Sequence, residues 1–255
     1  MIVLESPPGL LLVHQAEHAR TSAQIAAAWH RPEGFTPDLW SRFVDAVRRH
    51  DDGWTRAEHS PSLDRDGRPH DFLNVPLHLH IEIWRESVAL ANDDPYIGAL
   101  ITQHCQWLYR EYLDPGQKLV ASFIEELERR LRSLLSILER GTPGERSAVA
   151  PEALLSARKL FSFFDSLSLM LWRALPPAAK TGPLSFGKGE STFWITWGEK
   201  KALLDPWPFE NPVVYLEGVG LQVQKRTFSA PEELSGAMAS APRHDFQWFL
   251  GPGRE

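Results

Sequence analysis

Apolar positions over residues 17–175 recur every three or four residues, the period of an α-helix, whereas beyond residue 176 they gather in short β-branched and aromatic runs. The pattern predicts a first helix over residues 17–29, stopped by Arg31-Pro32. Thr36-Pro37-Asp38 offers a capping hydroxyl, a proline at the first helical position and an early acid, so a second helix starts there. It carries Leu39, Phe43, Ala46 and Val47 on one face up to His50, with Gly53 as its stop. Residues 57–75, rich in Pro, Gly, Asp and Ser, read as a loop. A third helix is predicted over 77–91, striped by Leu77, Ile81, Trp84, Val88 and Ala91. A fourth starts at Asp94-Pro95 with Ile97, Ile101, His104 and Leu108 on one face; two more cover 119–140 and 151–175.

Pro176-Pro177 ends the helical region. Strands are predicted over 192–197, 202–204, 213–216, 221–228 and 246–250, with a short helix over 231–238 and a linker over 182–189. About seventy residues of β structure are marginal alone and are expected to pack on the helices. The expected fold is mainly α: a helical domain over residues 1–178 with a small β-rich C-terminal subdomain, 179–255, packed on it.

Charge narrows the partners. With 33 acidic and 27 basic residues the net charge is −6, and no long basic run exists, which argues against duplex nucleic acid and anionic membrane. The single cysteine, Cys105, excludes an internal disulfide framework and fits a reducing compartment. The apolar run at residues 9–13 is too short and wrongly flanked for a secretion signal, and no apolar run approaches the ~20 residues of a membrane helix. A cytoplasmic location is expected.

Asp165 is the most informative single residue. Between Lys159 and Arg173 its helix is apolar or hydroxyl-bearing on almost every face, the mark of a buried helix. A carboxylate there requires a metal ion, a polar network or an arginine from another helix, and its mid-helix position removes a capping role. His50 and Asp51 point about 100° apart and flank the buried stripe of the second helix. His18 shares a face with Ile25, and His104 lies on the stripe of Ile97, Ile101 and Leu108. One histidine on such a stripe reads as a core residue. Three, beside two inward acids, read as nitrogen and oxygen donors to a first-row transition ion, each from a different helix.

Other chemistries lack their motifs. His14 and His18 are four apart, but Gln15 stands where a zincin needs glutamate. No Cys/His spacing supports a zinc finger, and no nucleophile elbow, Walker loop or dinucleotide fingerprint is present.

The order His18, His50-Asp51, then distant Asp165 on successive helices resembles the HD-domain superfamily of metal-dependent phosphohydrolases. The segments "HDDGW" (50–54), "DGRPHDF" (66–72), "HIEIW" (80–84), "DSLSL" (165–169) and "DPWPF" (205–209) resemble more narrowly a bacterial family called domain of unknown function 3891. The HD resemblance implies an HD-domain-like bundle in which His18, His50, Asp51 and Asp165 bind one divalent ion (Fe, Mn, Ni or Zn). Two further histidines, His80 and His104, would hold a second, with Asp51 bridging. His78 and His80 diverge by about 200° on a helix, so one of them faces the site; His80, four before the core residue Trp84, is chosen. The implied reaction is hydrolysis of a small phosphate ester or anhydride by metal-activated water. Asp51 and Asp52 are the candidate catalytic acids, Asp52 either orienting water or capping the helix. Arg20, Arg68 and Lys159 are candidate phosphate contacts, competing with a reading as ordinary surface cations. The glycine-tyrosine-proline signature of the cyclic-dinucleotide branch is missing after the doublet, so that substrate is not implied. Two rival readings are a di-iron oxygenase on the same ligands and a non-catalytic binding or regulatory module whose Asp165 pairs with an arginine.

Overall fold

The computed structural model describes residues 1–173, 181–185, 192–198 and 201–253. The chain begins with an antiparallel hairpin, β1 (Ile2–Ser6) and β2 (Gly9–Val13), which the helical reading of the first half does not contain. The run Gly-Leu-Leu-Leu-Val shows no alternation because both faces of β2 are covered. Leu11 and Val13 enter the main core, while Leu10 and Leu12 enter a smaller cluster with Val223, Leu234 and Met238.

Eight helices follow: α1 (Gln15–Ala28), α2 (Pro37–Arg49), α3 (Trp54–His59), α4 (Leu77–Leu90), α5 (Pro95–Tyr112), α6 (Lys118–Leu138), α7 (Pro143–Ala148) and α8 (Pro151–Arg173). The starts of α2 and α5 use the signals read from sequence. Thr36 Oγ1 accepts from Leu39 N at 3.2 Å, and Asp94 Oδ1 accepts from Tyr96 N at 2.8 Å. Two six-residue helices escaped prediction, α3 and α7, because fewer than two turns carry little periodicity. Gly53 does not stop the chain's helical course but precedes α3 as its N-cap. No helix among the described residues is long and apolar enough to cross a membrane.

The remaining elements are β3 (Thr181–Ser185), β4 (Thr192–Gly198), β5 (Lys201–Asp205), β6 (Val214–Val223), α9 (Pro231–Ser240) and β7 (Arg243–Pro252). All seven described strands form one sheet in the order β1-β2-β6-β7-β5-β4-β3, parallel only between β5 and β7. The expectation of a mainly α, HD-domain-like bundle with a small C-terminal β appendage is thereby corrected to a mixed α and β architecture. β2 pairs with β6, so the sheet draws on both sides of the 178/179 division. Residues 174–180, where that division falls, and 186–191, which include the second half of the expected linker, lie outside the described residues, while 181–185 are strand. The two strands expected over 213–216 and 221–228 are one, β6, running through Gly218 and Gly220. A Cβ on Gly218 would stand 2.3 Å from the Trp172 ring, so glycine here marks a close helix-to-sheet approach and not a break.

Helices and sheet share one hydrophobic core. Trp172 of α8 packs edge-on against Trp248 of β7 at 4.7 Å between ring centres, and Phe163 meets Phe193 of β4 at 4.9 Å. Between the two layers runs α1, in contact with α2, α8 and β6. Its small buried residues, Ala19, Ser22, Ala23 and Ala26, let neighbours approach on several sides, which is why it shows no clean apolar stripe.

The start of α1 is held from outside. His14, its N-cap, makes no side-chain cap; buried Glu58 of α3 accepts from Gln15 N at 2.8 Å instead. The same carboxylate lies 2.9 Å from the Met1 amino nitrogen and 2.8 Å from His14 Nδ1. Burial pushes the Glu58 carboxyl up, but the Met1 amino group, His14 and the Gln15 N–H outweigh it and hold it below its ordinary 4.5. A lowered folded pKa contributes stability that is complete above the ordinary value and lost as pH falls through the folded one. Glu58→Gln is expected to cost about 2–3 kcal/mol at pH 7 and to flatten the acid limb of the stability curve below pH 4.5. Urea titrations of both proteins across pH 3–7 check this; equal acid limbs would refute the assignment.

Candidate metal centre

Five of the six expected ligands converge. His18 comes from α1, His50 closes α2, Asp51 follows it in the turn, His104 comes from α5 and Asp165 from α8. All five are buried. His18 Nε2 lies 2.8 Å from Asp165 Oδ1 and 3.9 Å from Asp51 Oδ2. His50 Nε2 lies 3.3 Å from Asp51 Oδ2 and 3.8 Å from Asp165 Oδ1. His104 Nε2 is 3.3 Å from Asp165 Oδ2. Donor atoms of His18, His50 and Asp51 lie within 4.8 Å of one another, as do those of His50, His104 and Asp165, and either group could hold a metal ion.

The far ring nitrogens decide what the near ones carry. His50 Nδ1 lies 2.7 Å from the Val47 carbonyl oxygen, which only accepts, so Nδ1 holds the proton. Ser168 donates its hydroxyl hydrogen to the His18 carbonyl at 3.0 Å, so its oxygen accepts from His18 Nδ1–H at 2.9 Å. In the neutral rings both Nε2 lone pairs therefore face carboxylate oxygens. Lone pairs opposed in this way repel unless a proton or a cation lies between them. Outer partners that fix the ring and aim the free nitrogen inward are the usual support of metal-ligating histidines.

His104 makes the same demand by a different route. Its ring stacks on Phe161 at 4.4 Å, and both nitrogens are buried without a hydrogen-bond partner among the described residues, Nε2 lacking the alignment for one with Asp165. Buried polar atoms are seldom left unsatisfied, so this donor set fits an ion. Two carboxylates with neutral imidazoles carry a charge matched by one divalent cation.

Charge coupling runs through the cluster. Burial opposes protonation of His50, but Asp51, Asp165 and the Val47 carbonyl raise it to about 9. Burial pushes the Asp165 carboxyl up, yet His104 and His18 bring it well below the ordinary value. His104 is lowered, since burial exceeds the pull of Asp165.

The other expected residues lie elsewhere. His80 is outside the donor cluster: Trp84 Nε1–H donates to its Nε2 at 3.3 Å, and its Nδ1 is 2.9 Å from the Tyr109 hydroxyl. Burial lowers it to about 4 despite the pull of Asp51. Asp52 turns toward Arg49, 3.9 Å away, and does not line the cleft over the cluster. Arg20 pairs with Glu17 at 2.5 Å, and Arg68 pairs with Glu5. Neither they nor half-buried Lys159 line the cleft.

That cleft, about 520 Å³, has His18, His50, Asp51 and Asp165 on its surface and rings of Trp54, Trp107 and Tyr112 among its walls. Its one arginine among the described residues is Arg173, which lies over the Phe72 ring at 5.7 Å and 3.6 Å from Asp71. Sequence reasoning missed Arg173, Ser168 and Gln15. Ser168 follows Asp165 by three residues and Gln15 precedes His18 by three, the helical spacing that puts each beside a ligand.

Fold and cluster together define a mixed α and β protein with a buried His/Asp site able to hold a metal ion. The chain belongs to the family described as Protein of unknown function (DUF3891), whose model matches residues 1–225. That span includes every residue of the cluster. No curated protein and no solved structure matches the chain.

Proposed function

We propose that this chain is a metal-dependent phosphohydrolase of the HD-domain type, with one divalent transition ion held by His18, His50, Asp51 and Asp165 and with His104 as a further donor. The observation that carries the reading is the meeting of these residues, in that chain order, with the Nε2 atoms of His18 and His50 aimed at two carboxylates. Such an ion supplies Lewis acidity and a lowered pKa for water. Ser168 and Val47 hold two imidazoles in the ligating orientation, and Phe161 fixes the His104 ring. The aromatic walls give the cleft a largely apolar lining, and Arg173 offers a cation to an anionic substrate at it.

The rival readings are less well supported. A two-ion oxygenase needs His80 as a ligand, and Trp84 and Tyr109 engage both its nitrogens. A non-catalytic module would pair Asp165 with an arginine, whereas its partners are His18 and His104.

The test is metal content followed by hydrolysis. Protein expressed with Mn, Fe, Ni or Zn supplementation should carry close to one equivalent of an ion and cleave a phosphomonoester from a panel of aryl, sugar and nucleotide phosphates. A chelator should abolish turnover, and the metal should restore it. Less than about 0.2 equivalents under every supplement would overturn the metal site. Full metal with no turnover across the panel would overturn the phosphohydrolase.

A further inference from the structure

The same cleft holds two polar groups that no contact among the described residues uses. One follows from the direction of a short hydrogen-bond chain. An indole N–H only donates, so His80 Nε2, 3.3 Å from Trp84 Nε1, must carry the lone pair. The neutral ring then has its proton on Nδ1, which donates to the Tyr109 oxygen 2.9 Å away. Tyr109 therefore accepts from His80 and keeps its own hydroxyl hydrogen unspent. Among the described residues no acceptor takes it. Tyr109 is fully buried from water yet belongs to the lining of the cleft.

The second group is Gln15. It is 3% exposed, lines the cleft, and its Oε1 has no hydrogen-bond donor among the described residues. A buried donor and a buried acceptor left open in one cleft, beside the ion-binding residues, are both costly unless a ligand engages them. The rest of the wall is mostly rings and aliphatic chains, Trp54, Trp107 and Leu169 among them. Such a wall leaves the hydroxyls of a sugar without partners and favours an apolar body.

We propose that the cleft takes phosphate monoesters of aromatic or other apolar alcohols, with the Tyr109 hydroxyl, aimed by His80, and the Gln15 carboxamide as substrate contacts. This rests on the phosphohydrolase reading and adds the substrate class and two contact residues to it. His80 becomes a positioning residue for Tyr109 in place of the metal ligand expected from sequence.

The probe is phenylphosphonate, which cannot be hydrolysed, titrated into Mn-loaded protein and followed by tryptophan fluorescence, with methylphosphonate and glucose 6-phosphate as comparisons. Phenylphosphonate should bind at least about tenfold more tightly than either comparison. Tyr109→Phe and Gln15→Leu should each weaken it about tenfold while metal content is unchanged. His80→Asn keeps an N–H where Nδ1 stood and should retain most of the affinity; His80→Leu should lose it as Tyr109→Phe does. Loss of metal in Tyr109→Phe or Gln15→Leu would put that residue in support of the ion-binding site and overturn its assignment as a substrate contact. Three results overturn the inference: equal binding of phenylphosphonate and glucose 6-phosphate, wild-type affinity in both Tyr109→Phe and Gln15→Leu, or His80→Leu binding as tightly as His80→Asn. Failure of the wild-type Mn-loaded protein to bind any of the three ligands overturns the phosphohydrolase reading itself.

Discussion

Asp165→Ala should leave the chain folded and unable to retain a divalent ion. Its carboxylate faces His18 Nε2 at 2.8 Å, His104 Nε2 at 3.3 Å and His50 Nε2 at 3.8 Å, so it is the group shared by all three imidazoles. Removing it deletes half of the anionic charge of the donor set and leaves His104 without its nearest donor-set neighbour. An ion present at about a thousandfold above its Kd stabilises the native state by roughly 4 kcal/mol. For a chain of this size that corresponds to a rise in Tm of roughly 10 °C on adding metal. The wild type should show the rise, and Asp165→Ala should not, with helical circular dichroism unchanged and bound metal below about 0.1 equivalents. Asp165→Asn keeps the volume and separates lost charge from lost packing. Retention of one full equivalent by both variants would refute the ligand assignment.

Gly53→Ala should be the most damaging single-methyl change near the site. The glycine has an ordinary helical φ of −63°, so the constraint is not its backbone conformation. An added Cβ would stand 2.2 Å from the Ile83 carbonyl oxygen and 2.5 Å from Ser87 N, both backbone atoms of α4 that cannot rotate away. Gly53 N also donates to Ser87 Oγ at 3.0 Å, fixing the turn after His50-Asp51 against that helix. Relief of the clash requires α4 and the turn to separate, which costs about 3 kcal/mol or more by the measure of overpacked cores. Because Asp51 lies in the displaced turn, metal affinity should fall with stability. Thermal melts with and without Mn read both effects; a variant with wild-type Tm and metal content would show that the contact is not needed.

Much of the helical half was legible because amphipathic periodicity and end signals act locally. Thr36 caps α2 and Asp94 caps α5 where the sequence placed them, and the inward faces of α2, α5 and α8 carry His50, His104 and Asp165 into one point. Asp165 stood out since its neighbours on the helix are apolar and an acid among them needs partners. The hairpin was illegible for the same kind of reason: β2, covered on both sides, has no alternation to detect. Gly218 and Gly220 looked like breaks in a strand when their role is to admit Trp172 and Leu11 side chains at close range.

The site divides along the same line. His80 shares helical spacing with its expected role, but spacing cannot reveal that Trp84 and Tyr109 occupy its nitrogens. Arg20 and Arg68 looked available as phosphate contacts until folding brought Glu17 and Glu5 to them. The amino-acid order alone determined where the capped helices α2 and α5 start, which faces of the long helices are buried and which side chains of unusual burial cost lie on them, because those depend on neighbours within a few residues. Only the tertiary structure decided that residues 2–13 join the far strands in one sheet, which five donors meet, and which hydrogen bonds remain open in the cleft. These are distances between segments remote in the chain, and burial and hydrogen-bond satisfaction set them only once every segment is in place.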